Sequence, residues 1–389
     1  MKIAILTSGV LPVPAVQGGA VENLVDFCLE YNDKHRLHDI TVYSIHHPAV
    51  RQHPALRSEA NHYHYIDVNS FFAKIKKTFY KHNWEKDLYY NDSVEYFLFQ
   101  AARHIRRQDY DVIIIENRPG YVLKLKDMGT PLVIHQGNDY INSEKPKSRE
   151  IYDAASCIIN TSDYITKRVR TVAGDATKCK TVLNGIDTKR FFDAPPLPRE
   201  QAGLSEKDFV IVYSGRLTKD KGIMELVQAI SQLSDIPNLK LLIIGASFYG
   251  TGQTPSRFVQ ELKTAAEQIR DKVVFTGFVD YATIPSYLKM ADIAVVPSMW
   301  EEPFGLTVVE AMAAGLPLIT TRSGGIPEIC EGVATIVERD DIVSNLTNAI
   351  LHLYQHPEQR ETMAQAAIER SKQFDKTTYA RHFFEAICL

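Results

Sequence analysis

Residues 291–329 place the tightest constraint on what this chain can fold into. They read ADIAVVPSMWEEPFGLTVVEAMAAGLPLITTRSGGIPEI. The apolar run from 293 to 296 predicts a buried strand, and the spacing of apolar residues after Pro303 predicts an amphipathic helix. Gly315 is a typical helix stop, and a second apolar run follows it. We therefore expect a strand, a helix and a strand, which is the unit that builds parallel sheets.

Two glutamates flank the predicted helix start. Glu302 lies just before it and Glu310 inside it, with seven residues between them. The amides of Phe304, Gly305 and Leu306 should have no partner within the helix, and such amides attract phosphate. Eight helical residues would span roughly 12 Å, so a nucleoside diphosphate-sugar would fit. Its diphosphate would bind the amides, its sugar hydroxyls one glutamate and its ribose hydroxyls the other. The alternative is a charged helix start with one solvated glutamate.

This stretch resembles family 4 of the retaining glycosyltransferases, which have the GT-B fold. The resemblance lies in Glu302-Pro303-Phe304-Gly305, Glu310 and the segments 315–318 and 324–328, with Leu318 where valine is usual. It is strongest over residues 180–328. It implies transfer from a nucleotide-sugar with retention at the anomeric carbon, by front-face attack in which the leaving phosphate helps to deprotonate the acceptor.

The domain organisation follows from length and from strand–helix alternation in both halves. A chain of 389 residues accommodates two domains of ordinary size. We expect an α/β protein with two doubly wound Rossmann-like domains facing a central cleft, as in GT-B. The predicted parts are an acceptor-binding domain (1–187), a proline-containing linker (188–206), a nucleotide-sugar-binding domain (207–370) and a terminal helix crossing back to the first domain (371–389).

A glycine pair follows the first predicted strand. Gly18 and Gly19 lie in a loop that leads into a helix, and a strand, a glycine loop and a helix in this order can cradle phosphate. The dinucleotide pattern G-x-G-x-x-G is absent from this loop. The resemblance implies that the loop approaches the donor diphosphate and the acceptor.

Polar residues also follow two later strands of the first domain, where parallel sheets bind ligands. His135 follows the apolar residues 132–134. The resemblance implies that it lies near the donor sugar and contributes to catalysis, and the alternative is a structural histidine. Asn184 opens the segment Asn-Gly-Ile-Asp, which matches a hinge-side motif of the family and implies donor binding.

A basic pair follows the first strand of the second domain. Gly215, Arg216 and Lys221 come after the apolar residues 209–213, where the family grips the diphosphate. Arg216 and Lys221 would then neutralise charge on the leaving nucleotide, and the alternative is a solvated basic loop. The family often has an acidic residue where this chain has Ala246. The resemblance also implies that the backbone of Gly277-Phe278-Val279 lines the nucleobase.

No metal or other cofactor is expected, and the nucleotide-sugar is a substrate. The five cysteines lack metal-ligand spacing, and a histidine-rich tract at 46–64 favours a solvated loop. Asp109 and Asp111 precede a strand, whereas a metal-binding pair should follow one. We therefore expect Arg216, Lys221 and the helix start to take the place of a cation.

Residues 71–90 combine apolar and basic character. Phe72, Ile75 and Phe79 share a helical face, and Lys74, Lys76, Lys77, Lys81, Trp84, Tyr89 and Tyr90 surround or follow it. This pattern is typical of an interfacial helix that touches an anionic membrane or a lipid-linked acceptor, but also of a domain helix with a solvated basic side. Residues 1–190 hold 26 Lys and Arg against 22 Asp and Glu, so the first half is mildly basic.

These observations predict a retaining glycosyltransferase with a nucleotide-diphosphate-sugar donor, for which family frequency favours UDP. The expected acceptor is a glycan or a lipid-linked molecule of surface polysaccharide biosynthesis. No nucleic-acid partner is expected at a net charge of −3, and the absence of a leader or long apolar segment predicts a cytoplasmic protein, with peripheral contact at the inner face of the membrane as an option. The alternatives are a phosphorylase, a nucleotide-sugar 2-epimerase and a non-catalytic nucleotide-sugar-binding subunit.

Overall fold

The computed structural model describes residues 1–83, 92–174, 177–246 and 256–387. Within these residues the strands are β1 (Lys2–Leu6), β2 (Asp39–Ile45), β3 (Asn61–Ile66), β4 (Val112–Glu116), β5 (Leu132–Gln136), β6 (Cys157–Asn160), β7 (Cys179–Thr181), β8 (Phe209–Ser214), β9 (Leu239–Ile244), β10 (Val273–Gly277), β11 (Ile293–Val296), β12 (Leu318–Thr321) and β13 (Thr335–Val337).

The helices of the same residues are α1 (Ala20–His35), α2 (Phe71–Asn83), α3 (Asp92–Ile105), α4 (Val122–Leu125), α5 (Ser148–Ala154), α6 (Asp163–Ala173), α7 (Thr188–Phe192), α8 (Ile223–Gln232), α9 (Arg257–Ala266), α10 (Ile284–Leu288), α11 (Leu306–Ala313), α12 (Ile326–Cys330), α13 (Ile342–Gln355), α14 (Pro357–Ser371) and α15 (Lys376–Ile387). None of the described helices combines the length and the hydropathy needed to cross a membrane.

The strands form two parallel sheets. The first has the order β3-β2-β1-β4-β5-β6-β7, and the second has the order β10-β9-β8-β11-β12-β13. In each sheet the strand order reverses direction once, between β1 and β4 and between β8 and β11. Ligands bind at such reversal points, beyond the carboxyl ends of the strands. The predicted pair of doubly wound α/β domains is confirmed.

The central strands β1, β4 and β5 are buried over nearly their whole length and mostly apolar, because helices cover both faces of the sheet. Strand β4 shows this directly. Ile113 and Ile115 pack into one buried cluster with residues of α3 and α4, while Val112 and Ile114 pack into another with residues of α1 and α15. Alternate side chains of one strand thus contribute to two separate cores.

The chain divides into two compact units, Met1–Gly185 with Lys376–Leu389, and Ile186–Asp375. In the first unit, α15 packs on α1, with the rings of Tyr31 and Phe384 6.1 Å apart. In the second unit, the amide of Ile186 donates to the carbonyl of Phe374 at 2.9 Å, so its two ends meet. The predicted linker, 188–206, lies within the second unit and begins with α7, and the terminal helix begins at Lys376 rather than at 371.

One local expectation needs correction, and another concerns residues outside those described. The histidine-rich tract is not a loop throughout, because His62 and His64 lie on β3. Lys81 lies on α2, but Trp84, Tyr89 and Tyr90 lie outside the described residues.

Candidate functional site

The loop after β8 holds the first part of the site. Gly215 and Gly245 lie back to back, since a Cβ on Gly245 (φ 152°) would approach the carbonyl oxygen of Gly215 to 1.9 Å. The Tyr213 hydroxyl donates to the carbonyl of Arg216 at 2.8 Å. Burial raises the pKa of Tyr213, so the phenol keeps its proton. The Arg216 side chain is exposed, and no carboxylate of the described residues pairs with it.

The next turn brings Lys221 to the end of β11. Gly222 has φ 70°, and a Cβ there would lie 1.8 Å from the Pro297 carbonyl oxygen, so only glycine allows this approach. Lys221 Nζ lies 2.6 Å from Glu302 Oε1. It also lies 5.1 Å from the centre of the Trp300 ring. The predicted cation and the predicted carboxylate therefore meet in one pair.

Glu302 is buried and held from several sides. The Ser298 hydroxyl donates to Glu302 Oε1 at 2.8 Å. The amide of Gly325 donates to the Glu302 carbonyl at 2.8 Å. Gly324 (φ 53°) lies so close that a Cβ there would be 2.2 Å from the same carbonyl oxygen. The backbone and the carboxylate of Glu302 are thus fixed together.

The sequence analysis did not identify the different partners that Glu302 and its neighbour Glu301 have. Glu301 accepts from the amide of Gly324 at 2.5 Å and pairs with Arg339, whereas Glu302 turns to Lys221. Arg339 comes from a distant part of the chain and carries no local signal. The position of Ser298, directly after a strand, could have suggested it.

The helix start differs from the prediction. α11 begins at Leu306, with Gly305 (φ 116°) preceding it, so Glu302 lies four residues outside the helix. The estimate of roughly 12 Å assumed continuous helix between the glutamates and is therefore unsupported. Pro303 and buried Phe304 belong to the preceding turn. Across the described residues, the amides of Phe304, Gly305 and Leu306 find no acceptor, and the first turn has no acidic residue.

Glu310 belongs to a different network. It is buried in α11, and the Tyr281 hydroxyl donates to its Oε1 at 3.0 Å. Burial raises the pKa of Glu310 to about 7, although Tyr281 and Arg190 oppose the shift. Arg190 donates to the Tyr281 carbonyl at 2.6 Å. Arg190 was also missed, although it lies just three residues after the Asn-Gly-Ile-Asp segment and its amide donates to Asp187.

Gly277 ends β10, and Phe278 and Val279 follow it at the same edge of the sheet. Gly277 (φ 74°) accepts from the amide of Gly245 at 3.1 Å, so it adjoins the close contact of Gly245 with Gly215. The Phe278 side chain is exposed. The structure therefore brings the predicted base-lining backbone next to the loop that carries Arg216.

The predicted glycines of the first unit lie directly before α1. Gly18 and Gly19 have φ 73° and 108°, which favours glycine at both positions. A Cβ on Gly19 would lie 2.2 Å from Glu22 Oε2. Glu22 is buried in the first turn of α1, and burial raises its pKa. This helix start already contains a carboxylate of its own.

His135 and Asn184 are buried in the first unit. His135 Nδ1 lies 2.7 Å from Glu116 Oε2, and its ring lies 5.0 Å from that of Phe383. With Nδ1 against the carboxylate, the other ring nitrogen, Nε2, is buried without a hydrogen-bond partner among the described residues. The same holds for Asn184 Oδ1. A role of His135 at the donor sugar stays a prediction.

The structure thus brings Lys221 and Glu302 into contact in the second unit, with Arg216 and Gly277 on adjoining loops. Glu310 lies in the same unit with its own partners, whereas Gly18, Gly19, His135 and Asn184 lie in the first unit. In the described ranges, no three His, Cys, Asp or Glu side chains form a group that could hold a metal ion.

The second unit matches a known family. Residues 197–370 match the family model described as glycosyl transferases group 1. The chain is an enzyme of the glycosyltransferase class with the GT-B fold, and its residues 197–370 are similar to the glycosyl transferases group 1 family.

Similar proteins are known over most of the chain. Spore coat protein SA of Bacillus subtilis (strain 168) is 29% identical over 85% of this chain and 83% of its own length. The lipopolysaccharide 1,2-N-acetylglucosaminetransferase of Salmonella typhimurium (strain LT2) is 26% identical over 75% of this chain and 76% of its own.

Solved structures share the fold. Anabaena HepE, in complex with UDP and glucose, has a TM-score of 0.74 at 21% identity and covers 100% of this chain and 99% of its own. Sucrose-phosphate synthase from Thermosynechococcus elongatus has a TM-score of 0.74 at 20% identity, with coverage of 99% and 98%.

Proposed function

We propose that this protein is a retaining glycosyltransferase that moves a sugar from a UDP-sugar to a glycan or lipid-linked acceptor in surface polysaccharide biosynthesis. The observation that carries the proposal is the pair of Lys221 and Glu302, 2.6 Å apart, beside a helix start whose amides have no acceptor among the described residues. UDP in the HepE structure and the sugar transfer named for the Salmonella relative support the donor and acceptor classes.

The diphosphate would bind the amides of Phe304, Gly305 and Leu306, with Arg216 and Lys221 beside it. Arg216 has no carboxylate partner in the described chain, so its full charge is available. As the bond from the anomeric carbon to the phosphate oxygen breaks, negative charge grows on the leaving UDP, and these cations stabilise it. The acceptor oxygen bonds to the same face of the anomeric carbon, and its proton passes to the leaving phosphate. No metal ion is needed for this charge balance.

The two glutamates would orient the hydroxyl groups of the donor. Glu302 is fixed by Ser298 and Lys221, and can accept from a sugar hydroxyl without moving. Glu310 accepts from Tyr281 through Oε1, which leaves Oε2 for a ribose hydroxyl.

A donor screen tests this function. Nucleotide release is measured with uridine, guanosine and thymidine sugars, with and without a glycan acceptor, and the anomeric configuration of the product is read by NMR. We expect release with UDP-sugars and an unchanged anomeric configuration, and EDTA should leave the rate unchanged. Epimerised sugar formed without acceptor would favour the epimerase, and absence of turnover with every donor would favour a non-catalytic subunit.

We also propose that α2 brings the first unit to an anionic membrane. Phe71, Phe72, Ile75 and Phe79 are 73, 75, 54 and 62% exposed, so this face is not core packing. Ala73 alone of the helix's first three residues is buried and faces the unit. Lys74 and Lys76 are exposed beside the rings, and Lys77 is half-buried. Exposed rings flanked by lysines fit a lipid surface, at roughly 1 kcal/mol per lysine.

Vesicle co-sedimentation tests this contact. The wild type should bind phosphatidylglycerol vesicles at low salt and leave them at high salt. Changing Lys74, Lys76 and Lys77 to Gln should weaken binding without changing donor hydrolysis. A matched variant with Lys34, Lys126 and Lys167 changed to Gln removes the same charge elsewhere on the first unit. Equal binding by both variants, or none by the wild type, would contradict the contact.

A further inference from the structure

A polar cavity in the first unit is lined by none of the residues assigned to the donor. Its volume is about 380 Å³, and it lies between the edge strand β3 and helix α3 at the start of α2. The wall includes His64, Asp67 and Ser70 from one side and Arg103, His104 and Arg107 from the other. The function proposed above makes no use of it.

The cavity wall has an excess of positive charge. Arg103 and Arg107 lie four residues apart on one side, and in the described part of the chain neither has a carboxylate partner. Arg106, between them in sequence, is instead fully paired with Asp127 at 2.7 and 2.8 Å. Among the described residues Asp67 is the single acid on the wall, and its carboxylate already accepts from the amide of Asn69 at 2.9 Å. Two guanidinium groups therefore face one carboxylate.

A histidine pair adds donors to this wall. The rings of His64 and His104 are stacked, with centroids 3.9 Å apart. His104 Nδ1 lies 2.8 Å from the hydroxyl of buried Tyr43, which lies 2.8 Å from the hydroxyl of Tyr110. That chain fixes His104, while its Nε2 and both nitrogens of His64 have no hydrogen-bond partner within the described ranges. Stacked imidazoles repel each other when charged, and a bound anion would offset that repulsion.

We propose that this cavity binds a terminal phosphate group carried by a lipid. Arginine forks match the oxygens of a phosphate, and a phosphomonoester offers the nearly double charge that two guanidinium groups can neutralise. The lipid source follows from position. Ser70 lines the cavity, and its hydroxyl accepts from the amide of Ala73 at 3.2 Å, at the start of α2. The exposed rings of Phe71 and Phe72 follow immediately.

The assignment of a lipid source rests on the proposed membrane contact of α2, whereas the phosphate chemistry does not. The first experiment therefore uses no membrane. Inorganic phosphate is titrated into the full-length protein, and the imidazole signals of His64 and His104 are followed by NMR. Saturable shifts are expected, and Arg103→Gln with Arg107→Gln should weaken binding at least tenfold. Arg57→Gln with Arg170→Gln, exposed arginines of the same unit outside the cavity, should change it less than twofold. Absence of shifts, or equal loss in both variants, would overturn the site.

The second experiment distinguishes the source of the phosphate. Vesicles of phosphatidic acid, a phosphomonoester, are compared with phosphatidylglycerol vesicles adjusted to the same surface potential. The wild type should bind phosphatidic acid at least tenfold more tightly, and the Arg103 and Arg107 variant should lose this preference while keeping its phosphatidylglycerol binding. Shifts with inorganic phosphate but no preference between vesicles would overturn the lipid assignment. If the wild type binds neither kind of vesicle but its histidine signals still shift with inorganic phosphate, the role of α2 is contradicted.

Discussion

The starts of α1 and α11 look alike in sequence but differ in charge. Each follows a glycine with positive φ, Gly19 at 108° and Gly305 at 116°. The first turn of α1 contains the buried carboxylate of Glu22, whereas the first turn of α11 contains no acidic residue. Before α11 lies Lys221 instead, paired with Glu302. A helix N-terminus favours one negative group. The carboxylate of Glu22 already fills this role at α1, whereas the N-terminus of α11 can accept a negatively charged ligand.

This comparison teaches that a glycine turn before a helix does not by itself indicate an anion site. The neighbouring charges decide whether the amides are available. For Gly18 and Gly19, the carboxylate of Glu22 opposes a close phosphate, and we expect this loop to meet hydroxyl groups of the donor or the acceptor. The four predictions below test the contrast, beginning with the largest expected effect.

Removing the cations should affect the α11 site most. We expect Lys221→Ala or Arg216→Ala to lower turnover by roughly 100-fold or more, since each stabilises charge that grows in the transition state. Steady-state kinetics with the preferred donor provide the measurement. Lys219→Ala, an exposed lysine of the same turn, is the control and should stay close to wild type. Equal effects at 219 and 221 would show that general charge, not the pairing, matters.

Removing the paired carboxylate should have the next largest effect. We expect Glu302→Ala to reduce kcat/KM by roughly 30- to 150-fold, which corresponds to about 2–3 kcal/mol for a charged hydrogen-bonding partner. Circular dichroism should show an intact fold. Glu301→Ala removes the adjacent carboxylate, which pairs with Arg339, and should cost much less activity. Wild-type turnover of Glu302→Ala would contradict the assignment of this residue.

Each of the two helices also contains a mostly buried carboxyl group away from its N-terminus. We expect these two groups to change how stability depends on pH. Burial raises the pKa of Asp26 on α1 and of Glu310 on α11 to about 7. Between the unfolded pKa and about 7, the folded protein keeps a proton that the unfolded chain releases, so stability falls as pH rises through this window.

Asp26→Asn and Glu310→Gln should therefore each flatten the loss of Tm between pH 5 and pH 8 by a few degrees. Differential scanning calorimetry at several pH values measures this. Glu361→Gln, at an exposed position, should follow the wild type. If both buried variants lose Tm as steeply as the wild type, the carboxyl groups ionise without cost and the raised pKa values are wrong.

The smallest effect is expected at α1 itself. Glu22→Gln removes the negative charge of the first turn but keeps a side chain of the same size. We expect donor KM to change by less than about threefold, because this loop should meet hydroxyl groups, whose binding the charge of Glu22 affects little. A large fall in KM would show that phosphate reaches this helix start once the carboxylate is gone.

The sequence predicts the strands of the site well and its turns poorly. Residues 293–296 form β11 as expected, because a short apolar run between polar residues leaves few alternatives. The helix begins at Leu306 rather than at Pro303, because the positive φ of Gly305 is incompatible with helical backbone. The helix propensities of the residues do not predict such a backbone conformation.

Contacts between distant residues were beyond reach for a different reason. Arg190 lies over the ring of Tyr281 and donates to its carbonyl, 91 residues later, and Lys221 approaches Glu302, 81 residues later. The periodicity of α2 was visible, but which face is buried depends on its neighbours. Ala73 faces the unit, and the large rings of Phe71 and Phe72 face outward.

The connectivity of the chain has a consequence for biosynthesis. Ile186 and Phe374 are joined by a hydrogen bond, so the second unit enters and leaves the chain at one place, as an insertion between β7 and α15. Helix α15, with Tyr379 and Phe383, completes a core whose members outside this helix all precede residue 186. During synthesis, an apolar face of the first unit therefore stays uncovered until the whole second unit and α15 have been made. The first unit cannot complete its folding before the second, although domains usually fold in N-terminal-first order.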